Sequence, residues 1–164
     1  MIITTNQTAN SNSKLRFASV KKTMLFLCFC FLLIYTKGTA QVSAADMVKA
    51  AKQRIENLTI EQAKNEIATG NIVLIDIREA EEVKQGKIAG AVHAARGMLE
   101  FYADPTLPYY MPVFKKDARI ILYCASSGRS ALAVETLKVM GYKNVTHING
   151  GFKAWKEAGY PVTE

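Results

Sequence analysis

The chain has 164 residues, 49% of them hydrophobic, and carries 21 basic against 14 acidic side chains for a net charge of +7. This length points to one domain. The charge excess does not mark a nucleic-acid binder, because its basic residues are not gathered on one face or along one helix of the folded part.

The amino end accounts for most of the charge. Residues Met24 to Tyr35 (MLFLCFCFLLIY) form an unbroken apolar run of twelve, preceded by Lys14, Arg16, Lys21 and Lys22, with no acidic residue before Asp46. Gly38-Thr39-Ala40 then offers small residues where a signal peptidase would cut, which completes the three-part layout of a secretory leader. Twelve helical residues span about 18 Å, short of the ~30 Å hydrocarbon core, so a cleaved leader is favoured over a membrane anchor left by an uncut one. The expectation is therefore a leader over residues 1–40, a lead-in over 41–57 and a folded domain over 58–164. Export to the periplasm, cell envelope or medium follows, with no stable membrane insertion after cleavage. The remaining chain holds 16 basic and 14 acidic residues, a net charge of +2. Cys28 and Cys30 leave with the leader, and Cys124 becomes the sole cysteine, unable to form an internal disulfide. A lone thiol in an oxidising compartment is either a small buried hydrophobe or a working group, and its neighbours decide.

Along the mature part, Asp46 to Arg54 reads as a short amphipathic helix. Thr59-Ile60-Glu61-Gln62 has the spacing of a capping box and opens a helix closed by Gly70. Ile72 to Ile77 (IVLIDI) is β-branched and almost wholly apolar, as a strand covered on both faces should be. Ala80 to Gln85 is a polar helical turn ended by Gly86, and Ala91 to Ala94 a short strand. Arg96 to Lys116 is an insertion with Pro105, Pro108 and Pro112, whose Phe101, Tyr102, Tyr109, Tyr110 and Phe114 either pad the core or rim a pocket, padding being favoured. Arg119 to Cys124 (RIILYC) is a second buried strand. Ser130 to Met140 shows one apolar helical face through Ala133, Val134, Leu137 and Met140. Val145 to Ile148 is a last strand and Phe152 to Ala158 a last helix, with Gly150-Gly151 as the turn between them and Trp155 packed in the core. Strands alternating with helices imply an α/β domain with a mainly parallel sheet and helices on both faces.

Between the strand ending at Cys124 and the helix at Ser130 lies Ala125-Ser126-Ser127-Gly128-Arg129. Ligands of open parallel sheets bind beyond the carboxyl ends of strands. A tight loop there, running into a helix, turns successive backbone amides inward as an anion nest. The same amides and the helix dipole favour thiolate over thiol, which makes Cys124 a nucleophile rather than a packing residue.

Three stretches carry a family resemblance: LIDIREAEEVKQGKIAGAVHA (74–94), ILYCASSGRSALA (121–133) and GYKNVTHINGGFKAW (141–155). Together, in this order, they resemble a rhodanese domain, over about residues 58–162. The resemblance implies a five-stranded sheet and a sulfurtransferase without cofactor. In it Cys124 takes sulfane sulfur from thiosulfate or a similar donor, holds it as a persulfide and passes it to cyanide, a small thiol or a protein thiol. Ala125, Ser126, Ser127, Gly128 and Arg129 would form the substrate cradle. Arg129 binds the anionic donor or pairs with a carboxylate beside the loop. Asp76 and Arg78 match the family's Asp-x-Arg and are expected chiefly to brace the fold, Arg78 paired to Glu79 or Glu82, with a pocket role for Arg78 left open. Where many members have Gly-His-Ile-Pro-Gly-Ala, this chain has Gly86-Lys87-Ile88-Ala89-Gly90-Ala91, read as a change in a surface turn. The Cys-x4-Arg loop is one residue shorter than the Cys-x5-Arg loop of cysteine phosphatases, which disfavours phosphatase or arsenate reductase chemistry. A sulfur carrier or partner-binding module without turnover is the other alternative. One cysteine and two scattered histidines, His93 and His147, make no metal site, and no general base stands out.

Overall fold

The computed structural model of the chain describes residues 41–163; the leader read over residues 1–40 lies outside them. Helix α1, Ala44–Arg54, is capped by Ser43, whose hydroxyl accepts from the amide of Asp46 at 3.1 Å. It starts two residues before the expected Asp46 because this cap lies further upstream. The chain then forms β1, Asn57–Leu58, a strand where only a lead-in was expected. At α2, Ile60–Ala68, the capping box is complete. The Thr59 hydroxyl accepts from Gln62 N at 3.1 Å, and the Gln62 side chain accepts from Thr59 N at 2.9 Å.

The buried runs become β2, Val73–Asp76, and β5, Ile120–Tyr123, with β4, Val92–His93, and β6, Val145–Ile148. Together with β1 they make one wholly parallel five-stranded sheet in the order β1-β6-β5-β2-β4. Helix α3, Ala80–Val83, follows β2. A second, antiparallel ribbon pairs β3, Lys87–Ile88, with β7, Val162–Thr163. This corrects the reading of the 86–91 segment as a surface turn: Ile88 is buried, and its amide donates to the Tyr123 hydroxyl at 3.1 Å.

Period-two alternation sorts the strand side chains between two cores. Ile75, Ile77, Ile120, Leu122 and Cys124 pack on one face with Ala51, Ala131, Val134 and Leu137. Leu74, Ile121, Tyr123 and Ile148 pack on the other with Ala63, Phe152 and Trp155. These cores place α1 and α5, Gly128–Val139, on the first face and α2 and α6, Gly151–Glu157, on the second. All four residues of β5 are fully buried, each large apolar side chain contributing roughly 1.5–3 kcal/mol, so the end of this strand is firmly anchored. The insertion is partly helical, through a 3-10 turn at Arg96–Met98 and helix α4, Leu99–Tyr102. Its Phe114 pads the core edge-on to Tyr142, whereas Phe101 and Tyr109 stay exposed. Among the described residues no helix is long and apolar enough to cross a membrane.

Candidate active site

Cys124 leaves the end of β5, and Ser127 adopts a left-handed conformation, φ 79, the only positive φ at a non-glycine residue among those described. That one residue turns the chain straight into α5, which starts at Gly128 rather than at the expected Ser130. Arg129 therefore sits in the first helical turn and not in the loop. The first turn of a helix leaves its amides without intrahelical acceptors. Among the described residues no turn or side-chain hydrogen bond claims the amides of residues 125–130.

The loop's first two carbonyls, in contrast, are spoken for. Cys124 O accepts from Phe152 N at 2.8 Å and Ala125 O from Lys153 N at 3.0 Å, both from the first turn of α6. This close approach needs Gly151, at φ 63. A Cβ there would overlap the carbonyl oxygen of Cys124 and lie 2.9 Å from the carbonyl carbon and oxygen of Ala125. The sequence showed only a Gly-Gly turn; its role as a backing for the cradle is a matter of proximity.

Cys124 is 1% exposed. Its Sγ stands 3.6 Å from Ser130 Oγ, which lies 3.0 Å from His147 Nδ1, and His147 Nε2 lies 2.9 Å from Asn57 Oδ1. Asn57 and His147 are register partners on β1 and β6, and His147 shares the α5 face of β6 with Val145. Burial first, and the Lys52 cation second, lower His147 to about 4, so its ring is neutral at ordinary pH. Neither Ser130 nor His147 was assigned a role in the sequence.

Both arginines singled out from the sequence are committed to acidic partners. Arg129 makes two 2.7 Å bonds to the carboxylate of Glu82, chiefly through which Glu82 is held down at about 2. Arg78, 3% exposed, bonds both oxygens of Asp76 and donates to the carbonyls of Glu82 and Gly86. Its acidic partner is thus Asp76, two residues back, and not the Glu79 or Glu82 carboxylate. The guanidinium also stacks 3.9 Å over the Phe152 ring. The side chain that does reach the loop was not expected there: Lys52 of α1 donates to Ser127 Oγ at 2.7 Å and to Asn149 Oδ1 at 2.9 Å. An open cleft of about 390 Å³ borders the loop, lined by Arg78, Glu82, Gln85, Ala125, Phe152 and Lys153 among others. His93 is apart from the cradle, with Nε2 on the Arg78 carbonyl at 2.8 Å. Among the described residues no three His, Cys, Asp or Glu side chains are grouped to hold a metal ion.

The model of the Rhodanese-like domain family matches residues 59–158. The chain is 32% identical over 94 residues to a sulfurtransferase of Allochromatium vinosum, covering 57% of this chain and 80% of that one. It is 34% identical over 105 residues to a thiosulfate sulfurtransferase of Actinobacillus succinogenes, covering 64% and 87%. Among solved structures, a Rhodopseudomonas palustris protein described as of unknown function and a possible tyrosine phosphatase superposes with a TM-score of 0.71 at 40% identity, covering 78% of this chain and 99% of the other.

Proposed function

The chain belongs to the rhodanese-like domain family, and on that footing we propose that it is a sulfurtransferase whose Cys124 carries sulfane sulfur as a persulfide. The observation that carries this reading is the polarity of the loop: its first two carbonyls are bound by α6, while among the described residues no turn or side-chain hydrogen bond takes the amides of residues 125–130, as an anion nest requires. Such an arrangement stabilises negative charge on sulfur without a metal. The Cys124 thiolate attacks the outer sulfur of thiosulfate or a similar donor. A new S–S bond forms, the donor's S–S bond breaks, and sulfite leaves with the electron pair. The persulfide's terminal sulfur is then taken by a nucleophilic acceptor (cyanide, a small thiol or a protein thiol), and Cys124 departs as the thiolate. Burial of Cys124 suits a donor that presents a single protruding sulfur atom. The secretory-leader pattern read over residues 1–40 supports a site of action outside the cytoplasm.

The test is mass spectrometry of the intact protein after thiosulfate treatment. One added sulfur atom is expected, and none in Cys124→Ser; equal labelling of both proteins would reject the assignment. Steady formation of thiocyanate from thiosulfate and cyanide separates a turning-over enzyme from a carrier that loads once. The Rhodopseudomonas palustris relative raises the phosphatase reading, but Arg129, the group that would grip a phosphoryl anion, is closed onto Glu82. Release of phosphate from an aryl phosphate is therefore not expected.

A further inference from the structure

The polar chain behind Cys124 has a defined hydrogen order. Asn57 Nδ2 donates to the carbonyls of Lys52 at 2.7 Å and Ile55 at 3.0 Å, so the amide cannot be turned round and Oδ1 must face His147. An acceptor on that side requires the proton of a neutral imidazole to sit on Nε2, leaving a lone pair on Nδ1. The Ser130 hydroxyl is the donor that reaches it. This hydroxyl has one hydrogen and three candidate acceptors: His147 Nδ1 at 3.0 Å, Ser127 O at 3.1 Å and Cys124 Sγ at 3.6 Å. Ser127 O already accepts from Ala131 N, whereas a buried Nδ1 without a donor would be the costlier loss.

We propose that His147 is a positioning residue for the sulfur: oriented by Asn57, it draws the Ser130 hydrogen to itself and leaves Ser130 Oγ facing Cys124 as an acceptor. When Cys124 carries its proton, that thiol is the donor to Ser130 Oγ, 3.6 Å away. Negative charge on Cys124 therefore gets no help from that hydroxyl and relies on the backbone amides of the loop. The charged groups acting on the chain are two cations, Lys52 from α1 toward His147 and Arg129 from α5 toward Cys124, the latter neutralised by Glu82.

The inference rests on Cys124 being the nucleophile, yet its test needs no sulfur donor. Ultraviolet thiolate absorbance of the full chain is followed against pH, with Cys124→Ser subtracted to remove all other absorbance changes. In His147→Leu the freed hydroxyl turns to the sulfur, and half-ionisation should move down by about one pH unit, the worth of a hydrogen bond to a charged group. His147→Asn, which keeps an acceptor near the Nδ1 position, should stay close to the parent. Adding Ser130→Ala to His147→Leu should cancel the shift. An unmoved or upward midpoint in His147→Leu overturns the proposal, an upward one by making His147 a proton acceptor for the thiol. Should the Leu variant not fold, nitrogen NMR of the unsubstituted chain reads the His147 tautomer directly. A proton found on Nδ1 sinks the proposal, and one on Nε2 supports it. Sulfur loading by thiosulfate can fail while this titration holds, and the reverse, so the two readings fall separately.

Discussion

Two strand-to-helix turns leave the same edge of the sheet. Strand β5 passes through Cys124–Ser127 into α5, and β6 passes through Asn149–Gly150 into α6. Their last residues take nearly the same left-handed shape, Ser127 at φ 79, ψ −14 and Gly150 at φ 84, ψ −20. The amides make the difference. The α6 turn spends two of its free amides on the carbonyls of Cys124 and Ala125, while the α5 turn keeps its amides open. One turn is thus the support and the other the working surface. Glycine is needed in the support, where a Cβ at 150 would also run into that of Ala154. The working turn tolerates a serine at a backbone cost of about 1–2 kcal/mol, because its hydroxyl is where Lys52 fastens α1 to the cradle.

The largest expected break in this division of labour comes from Gly151→Ala. The added Cβ meets backbone atoms that cannot swing aside, and the residue's φ of 63 is unfavourable for any side chain. A loss of about 3 kcal/mol by urea unfolding is expected, with sulfur loading reduced roughly tenfold as the cradle shifts. A variant that loads and unfolds like the parent would show that α6 does not back the loop. Exchanging the two cap residues sharpens the comparison at smaller cost. Gly150→Ser places a Cβ 2.5 Å from that of Ala154 and should cost about 2 kcal/mol. Ser127→Gly should stay within about 1 kcal/mol of the parent, because relief of the backbone offsets the lost bond from Lys52. Equal losses in the two variants would deny the asymmetry.

The smallest effect is expected from Glu82→Gln, which releases Arg129 toward the cradle mouth. The pair is about one-third exposed on each side, so less than about 1 kcal/mol of stability should be lost at neutral pH. The sign with pH is fixed by Glu82 lying below its ordinary carboxylate value, near 2 in the folded chain. Its contribution is complete above the ordinary carboxylate range and fades as pH falls through that range toward 2, a loss the Gln variant should lack in acid unfolding curves. If Arg129 serves an anionic donor once freed, the KM for thiosulfate should fall a few-fold with kcat nearly unchanged.

The parts of the site that follow from neighbouring residues were legible beforehand. The buried run at 120–123, the small residues after Cys124 and the helix beyond them announced a strand-to-helix turn with Cys124 at its start, and Thr59 with Gln62 announced a helix start. Asn57, read as lead-in, became a strand because β6 offered its edge, and only that pairing set it beside His147. The Glu82 carboxylate meets Arg129 across 47 residues, and Lys52 meets Ser127 across 75. No local signal marks such partners: each is one of several similar charges along the chain.

The sequence by itself determined the α/β alternation, the place of Cys124 at a strand end and the anion-ready turn after it, since periodicity and turn chemistry act over a few residues. Tertiary structure alone decided which carboxylate holds each arginine, which histidine stands behind the sulfur and why Gly151 must lack a side chain. These depend on strand order and register, which are set by burying two apolar faces at once and not by any single segment.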